Sequence, residues 1–194
     1  MDDRYDSTMA AQGIFRDVMN AFSHPFKVYN IKDAAGNNPL TQGEHVLVKE
    51  LCSIFLDNTV SFYVHEDARL AEEIRELTYA RPTGLPEAGF VILLHSESFD
   101  QWGSISPGSL FAPHEGATVL AVVPAIAGQV KIVAEGPGID GAQAFLIDPA
   151  LAQCISRTAQ LDIEYPKGYE MLFLTGQGDL CAVPRHVKAR KEGL

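Results

Sequence analysis

Residues 165–187 read YPKGYEMLFLTGQGDLCAVPRHV, a near-continuous apolar run broken once by Gly176-Gln177-Gly178-Asp179. A glycine loop after a strand can hold a phosphate when a Lys-Ser/Thr follows and a helix opens on it. Here the residues on both sides, "EMLFLT" and "LCAV", are strand-like, and no such Lys-Ser/Thr is present. The stretch therefore predicts a buried β-hairpin with Gly-Gln-Gly-Asp as its turn. A hairpin of this kind needs a sheet to join and elements to cover it.

The residues upstream supply both. In 10–23, Ile14, Phe15, Val18, Met19 and Phe22 recur at spacings of three and four, which predicts an amphipathic helix. His24-Pro25 stops it, because proline disfavours helix at the preceding residue. "KVYNI" reads as a strand and "DAAGNNP" as a turn. Residues 45–56 are again helical in period, "TVSFYV" is a strand, and 67–79 form a helix capped by Asp67. "FVILLHS" is apolar on both faces, as a central strand is. A Gly-, Ser- and Pro-rich loop spans 103–116, followed by three strands in "ATVLAVV", "QVKIVAE" and "AFLI". Asp148-Pro149 opens a helix that runs to about Ala159, with proline where its missing donor costs nothing.

Helix and strand alternate in the first half and strands dominate the second. That order predicts an α/β protein with a mixed sheet covered by helices on both faces. One domain spans 1–194, with 1–9 as an N-terminal extension and 186–194 as a basic tail, both expected to be mobile.

Charge narrows the function. Fifteen basic residues against 25 acidic ones give −10, the wrong sign for a protein that must neutralise nucleic-acid phosphates. The tail is the exception: Arg185, Lys188, Arg190 and Lys191 face Glu192 alone. It reads either as a solvated extension or as a contact for an acidic partner protein. The apolar run from Ala117 to Val130 is too short to span a membrane, and the acidic start is unlike a signal peptide, so a cytoplasmic protein is expected. Cys52, Cys154 and Cys181 form no C-x-x-C and are expected as buried free thiols.

Motifs that suggest chemistry fail in context. "GPGIDG" at 136–141 has the spacing of a dinucleotide loop, but too few residues follow for the helix such a site needs. It predicts a turn between strands. No two of the six histidines stand three or four apart, and "HSE" at 95–97 lacks the P-C-x-x-C of zinc deaminases. "GSISPG" at 103–108 is one place off a serine nucleophile pattern. No catalytic residue, metal ligand or cofactor site is assigned, and neither cofactor nor metal is expected. Glu164 and Glu170 bracket the start of the hairpin, and Arg81, Arg157 and Arg185 could clamp an anion. Arg185, Glu170 and Arg81 are the candidates for partner contact or anion binding.

Taken together, "FRDVMNAFSHP" at 15–25, "FLDNTVSFYV" at 55–64, "APHEGAT" at 112–118, "GPGI" at 136–139 and "YPKGYEMLFLTGQGDLCAVPR" at 165–185 resemble one family over almost the full length. It is the H subunit of the bacterial carbon–phosphorus lyase system of phosphonate degradation, the PhnH family. The family pattern has glycine where this chain has Phe26, Gly-Ile-Asp where it has Gly168-Tyr169-Glu170, and Pro-Arg-Thr where it has Pro184-Arg185-His186.

The resemblance implies a three-layer α/β/α sandwich, similar to the large domain of pyridoxal-phosphate-dependent transferases but without the cofactor. It implies a homodimer in isolation and a place beside the G, I and J subunits in a core complex. With the L subunit, that system forms α-D-ribose 1-phosphonate 5-triphosphate from ATP and a phosphonate, releasing adenine. Two readings follow. The first is a structural, assembly subunit of that transferase complex, with no independent active site. The alternative is a small stand-alone enzyme acting on a phosphorylated or nucleotide substrate.

Overall fold

A computed structural model describes residues 7–35, 38 and 40–191. Residues 1–6 of the expected extension, 36, 37 and 39 of the expected turn, and 192–194 of the tail lie outside the described residues.

Helix α1 (Ser7–Ser23) already includes residues 7–9 of the expected extension. It buries Ile14, Val18 and Ala21, whereas Phe15 is 47% exposed and stacks on Phe55 at 5.7 Å. Strand β1 (Tyr29–Asn30) and the short α2 (Lys32–Ala35) follow, then α3 (Val46–Phe55) and β2 (Ser61–Val64). Helix α4 (Ala68–Thr78) starts where Asp67 accepts a hydrogen bond from the Leu70 amide, as its sequence predicts. β3 (Arg81–Pro82), β4 (Phe90–Leu93) and β5 (Thr118–Val122) complete the alternating part. The second half holds β6 (Ala127–Glu135), β7 (Gln143–Ile147), α5 (Pro149–Ala159), β8 (Glu170–Leu174), β9 (Asp179–Val183) and β10 (Lys188–Lys191).

The main sheet has the order β1-β9-β8-β5-β4-β2-β3. Neighbours from β3 to β8 run parallel, while β8 and β9 are the antiparallel hairpin of residues 165–187, in register Phe173↔Cys181. Alternation along these strands builds two cores. Phe90, Ile92, Leu120, Leu172, Leu174 and Leu180 point to one face, against Ile14 and Val18 of α1, Leu51 of α3 and Ile74 of α4. Val91, Leu93, Val119, Phe173 and Cys181 point to the other, against Leu151 and Ile155 of α5, Trp102, Ile132 and Ile147. Both faces are apolar because both are covered, which is why the central strands carry no alternation in hydropathy.

Two expectations need correction. β6 and β7 do not extend the main sheet; they form a separate antiparallel sheet of order β10-β6-β7 that shares a face with α5. And the tail, expected to be mobile, is a strand over Lys188–Lys191, paired with β6 from Lys188↔Glu135 to Lys191↔Ile132. Its four residues carry three cations and one alanine, so nothing in their composition marks a strand; Ala189 packing on the core and the ladder to β6 make it one.

The "GPGIDG" segment is the turn between β6 and β7, with Gly136, Gly138 and Gly141 all at positive φ. Gly138 also lies against the end of α1: a Cβ there would stand 2.4 Å from the Ser23 carbonyl oxygen. Phe26 has φ 65, a conformation in which glycine is unstrained. Its ring compensates by stacking on Phe145 at 4.7 Å and is 7% exposed.

Candidate functional site

At the N-terminal ends of β5 and β8, the segments 106–118, 165–170 and 184–185 meet around one side chain. Arg185 follows Pro184 at the end of β9 and is only 13% exposed. Its Nε donates to Glu170 Oε1 at 2.5 Å, and its backbone amide donates to Glu170 Oε2 at 3.2 Å. The Nη1 group donates to the Pro113 carbonyl. One guanidinium thus ties the first residue of β8 to the loop before β5, using the fixed fork that suits arginine to such a bridge.

The loops approach too closely for side chains at several points. A Cβ on Gly168, whose φ is +147, would lie 2.9 Å from the Arg185 Cβ. One on Gly116 would lie 2.6 Å from the Gly168 carbonyl oxygen. The Gly168 amide donates to the Pro107 carbonyl at 2.9 Å, and Glu170 N donates to Ala117 O at 3.2 Å. Beside them Tyr169, 5% exposed, directs its hydroxyl to the carbonyls of Trp102 and Ile105 at 3.2 and 3.3 Å. Burial pushes its phenol up to about 12, so it stays a neutral donor at ordinary pH.

A groove of about 860 Å³ opens on the far side of Arg185, between β10, the end of α5 and the segment 162–169. Its floor is apolar, from Val133, Ile155, Ile163, Met171 and Val183, and its rim carries Lys167, His186, Lys188 and Arg190 together with Glu135 and Asp162.

Of the three candidate residues, the structure brings Arg185 and Glu170 together, as partners of each other. Arg81 stands apart on the opposite edge strand, β3, four strand spacings or roughly 19 Å from β8. Arg157 is exposed on α5, so no three-arginine clamp is assembled. His95 is exposed, Ser96 donates its hydroxyl to the Val122 carbonyl, and Ser106 accepts from the Gly108 amide. Glu164 accepts, through its carbonyl, from the Lys167 amide. Cys52, Cys154 and Cys181 are buried free thiols, as expected, and burial raises all three; Cys154 reaches about 11. Among the described residues no group of three or more His, Cys, Asp or Glu is placed to hold a metal. No helix among them is long and apolar enough to cross a membrane.

The sequence singled out Arg185 and Glu170 as candidates but not their pairing with each other, nor the Pro113 carbonyl that completes it. The signal that could have found it is the set of glycines at 108, 116 and 168, which mark backbone crowding around one point.

No curated protein matches the chain. The sequence profile of the family described as bacterial phosphonate metabolism protein (PhnH) matches residues 4–190. That span includes the loop at 112–118, the hairpin and Arg185, the pieces that converge in the fold. The chain belongs to the PhnH family of bacterial phosphonate metabolism proteins.

Proposed function

We propose that this protein is an assembly subunit of a carbon–phosphorus lyase core complex. In this reading it joins the G, I and J subunits and acts functionally with L. The complex forms α-D-ribose 1-phosphonate 5-triphosphate from ATP and a phosphonate, with the chemistry carried by the partners. The observation that supports this most is the Arg185 junction. Two of the segments that carry the family resemblance, 112–118 and 165–185, meet there in a bond between Arg185, Glu170 and Pro113, which is a way of holding a surface in shape. Displacing adenine needs an acid at the departing base and charge placed at the sugar carbon. The arginines that could serve such a reaction are dispersed, and Arg185 is already engaged.

Two apolar faces on the main sheet, with α1, α3 and α4 over one and α5 over the other, support a three-layer sandwich like that of the large domain of pyridoxal-phosphate-dependent transferases. We take the chain to work as one domain, in the cytoplasm, and to form a homodimer when isolated. Light scattering after size exclusion is then expected to give twice 21.1 kDa.

The deciding experiment is reconstitution. The chain alone is expected to be inert toward ATP plus methylphosphonate, and to restore adenine release when added to its cognate G, I and L subunits. Deleting its gene is expected to abolish growth on a phosphonate as sole phosphorus source. Adenine release by the isolated chain, or normal growth without it, would show that the assembly reading is wrong.

A further inference from the structure

β10 is the edge of its sheet, and its outer side makes no further backbone hydrogen bond among the described residues. Residues 185–191 contain Arg185, Lys188, Arg190 and Lys191 and no acid, in a chain whose net charge is −10. Arg185 is engaged inside the fold, but Lys167, Lys188 and Arg190 form no ion pair among the described residues. Lys188 and Arg190 sit opposite Glu135 and Val133 on β6, and so share one face of the sheet with them. Cations on an edge strand can simply keep it from pairing at random. A guard of that kind has no use for an apolar trench beside it. Here the trench is present, lined by half-buried Val133, Ile163 and Val187 beside the buried Ile155, Met171 and Val183.

We propose that this groove binds an acidic segment of a partner chain, one that carries apolar side chains between its carboxylates and lies along the free edge of β10. The inference rests on the subunit reading above and assigns it a surface. Charge complementarity selects the occupant: a basic strand on an acidic protein repels the chain's own acidic surface and attracts an acidic partner. The open backbone edge offers main-chain hydrogen bonds to an extended segment, and the floor takes its apolar residues. Lys188 and Arg190 set the orientation and the rate of encounter, while the floor supplies most of the affinity.

The test uses the full chain, immobilised, with the co-expressed cognate G, I and J subunits as the probe. Wild-type affinity is expected to fall as salt rises. Lys188→Glu/Arg190→Glu is expected to weaken binding at least tenfold, and Lys188→Ala/Arg190→Ala by less, with the urea midpoint of each within error of the wild type. Arg16→Glu, the same charge change on exposed α1 over the opposite face of the main sheet, is expected to leave binding unchanged. Equal binding by the charge-reversed and wild-type chains would overturn this inference and leave the subunit reading standing. Failure of the wild type to bind any of the subunits would overturn both. A charge reversal that changes only the oligomeric state would reassign the groove to a second copy of the chain. Binding of ATP to the wild type, lost in the double variant, would reassign it to a small polyanion; either result overturns the proposal.

Discussion

The Arg185 guanidinium and the Glu170 carboxylate meet at 2.5 Å, with side chains 13% and 27% exposed. Fifteen residues separate them in sequence, and the whole hairpin lies between. Their bond closes the base of that hairpin, while the remaining arm of the fork reaches the Pro113 carbonyl on a different loop.

Removing one partner from a buried pair typically costs 3–5 kcal/mol, and partial exposure of Glu170 reduces that. Arg185→Ala is expected to destabilise the fold by about 2 kcal/mol and Arg185→Lys, which keeps charge but loses the fork, by about 1 kcal/mol. Urea unfolding at pH 7 measures both. Equal stability of Arg185→Ala and wild type would mean that the junction contributes nothing.

Gly168 combines φ +147 with a neighbour 2.9 Å from its missing Cβ. Gly168→Ala therefore adds backbone strain and a clash with Arg185, and about 2–3 kcal/mol of stability is expected to be lost. Gly13, with nothing within 4 Å of a built Cβ and a place inside α1, is the control. Gly13→Ala is expected to gain a few tenths to about 1 kcal/mol. Thermal unfolding of the two variants should move in opposite directions.

Placing glycine at 26 sets two effects against each other. Removing the Cβ from a backbone held at φ 65 relieves about 1 kcal/mol, while losing a buried phenylalanine costs about 3–5 kcal/mol. Packing wins, and Phe26→Gly is expected to destabilise by about 2–4 kcal/mol. An increase in the urea midpoint would show that the stack on Phe145 is worth less than the strain.

The buried acids of high pKa make a prediction about alkaline stability. Burial raises Cys154 to about 11 and Tyr169 to about 12, and raises Cys52 and Cys181 as well. The unfolded chain loses these protons first, at ordinary thiol and phenol values. Their contribution is thus fully present below about pH 8.5 and is lost as pH rises through the folded values. The urea midpoint is expected to fall steadily from about pH 9 to 11, with a shallower slope in Cys181→Ala. Native protein should give no reaction with a thiol reagent at pH 8, and denatured protein should give three equivalents, matching the three cysteines. A pH-independent midpoint across that window would contradict the burial of these groups.

Much of the fold is legible in local pattern. Asp67 and Asp148 cap α4 and α5 where the sequence places them, because a cap needs only the residues of its own turn. The Gly176–Asp179 turn and the "GPGIDG" turn are likewise local, and so is the failure of both as phosphate loops. The amphipathic stripe of α1 is half right: Ile14 and Val18 are buried, but which shoulder is covered depends on where α3 lies, and Phe15 is left stacked on Phe55 at the surface. Among the site residues, charge and position singled out Arg185 and Glu170, and equally Arg81, which no contact joins to them.

The sequence by itself determined the longer helices α1, α3, α4 and α5, the covered β8–β9 hairpin and the net acidic charge, since each follows from residues close together in the chain or from composition. Only the tertiary structure decided that β6 and β7 leave the main sheet, that the cationic tail becomes β10, and that Pro113, Gly168, Glu170 and Arg185 share one junction. Strand partners are chosen by ladders across long separations, Lys188 with Glu135 and Glu170 with Thr118. Period and propensity describe one strand at a time, and every strand here is compatible with several neighbours. What selects among them is the packing of both faces at once, a property of the assembled chain.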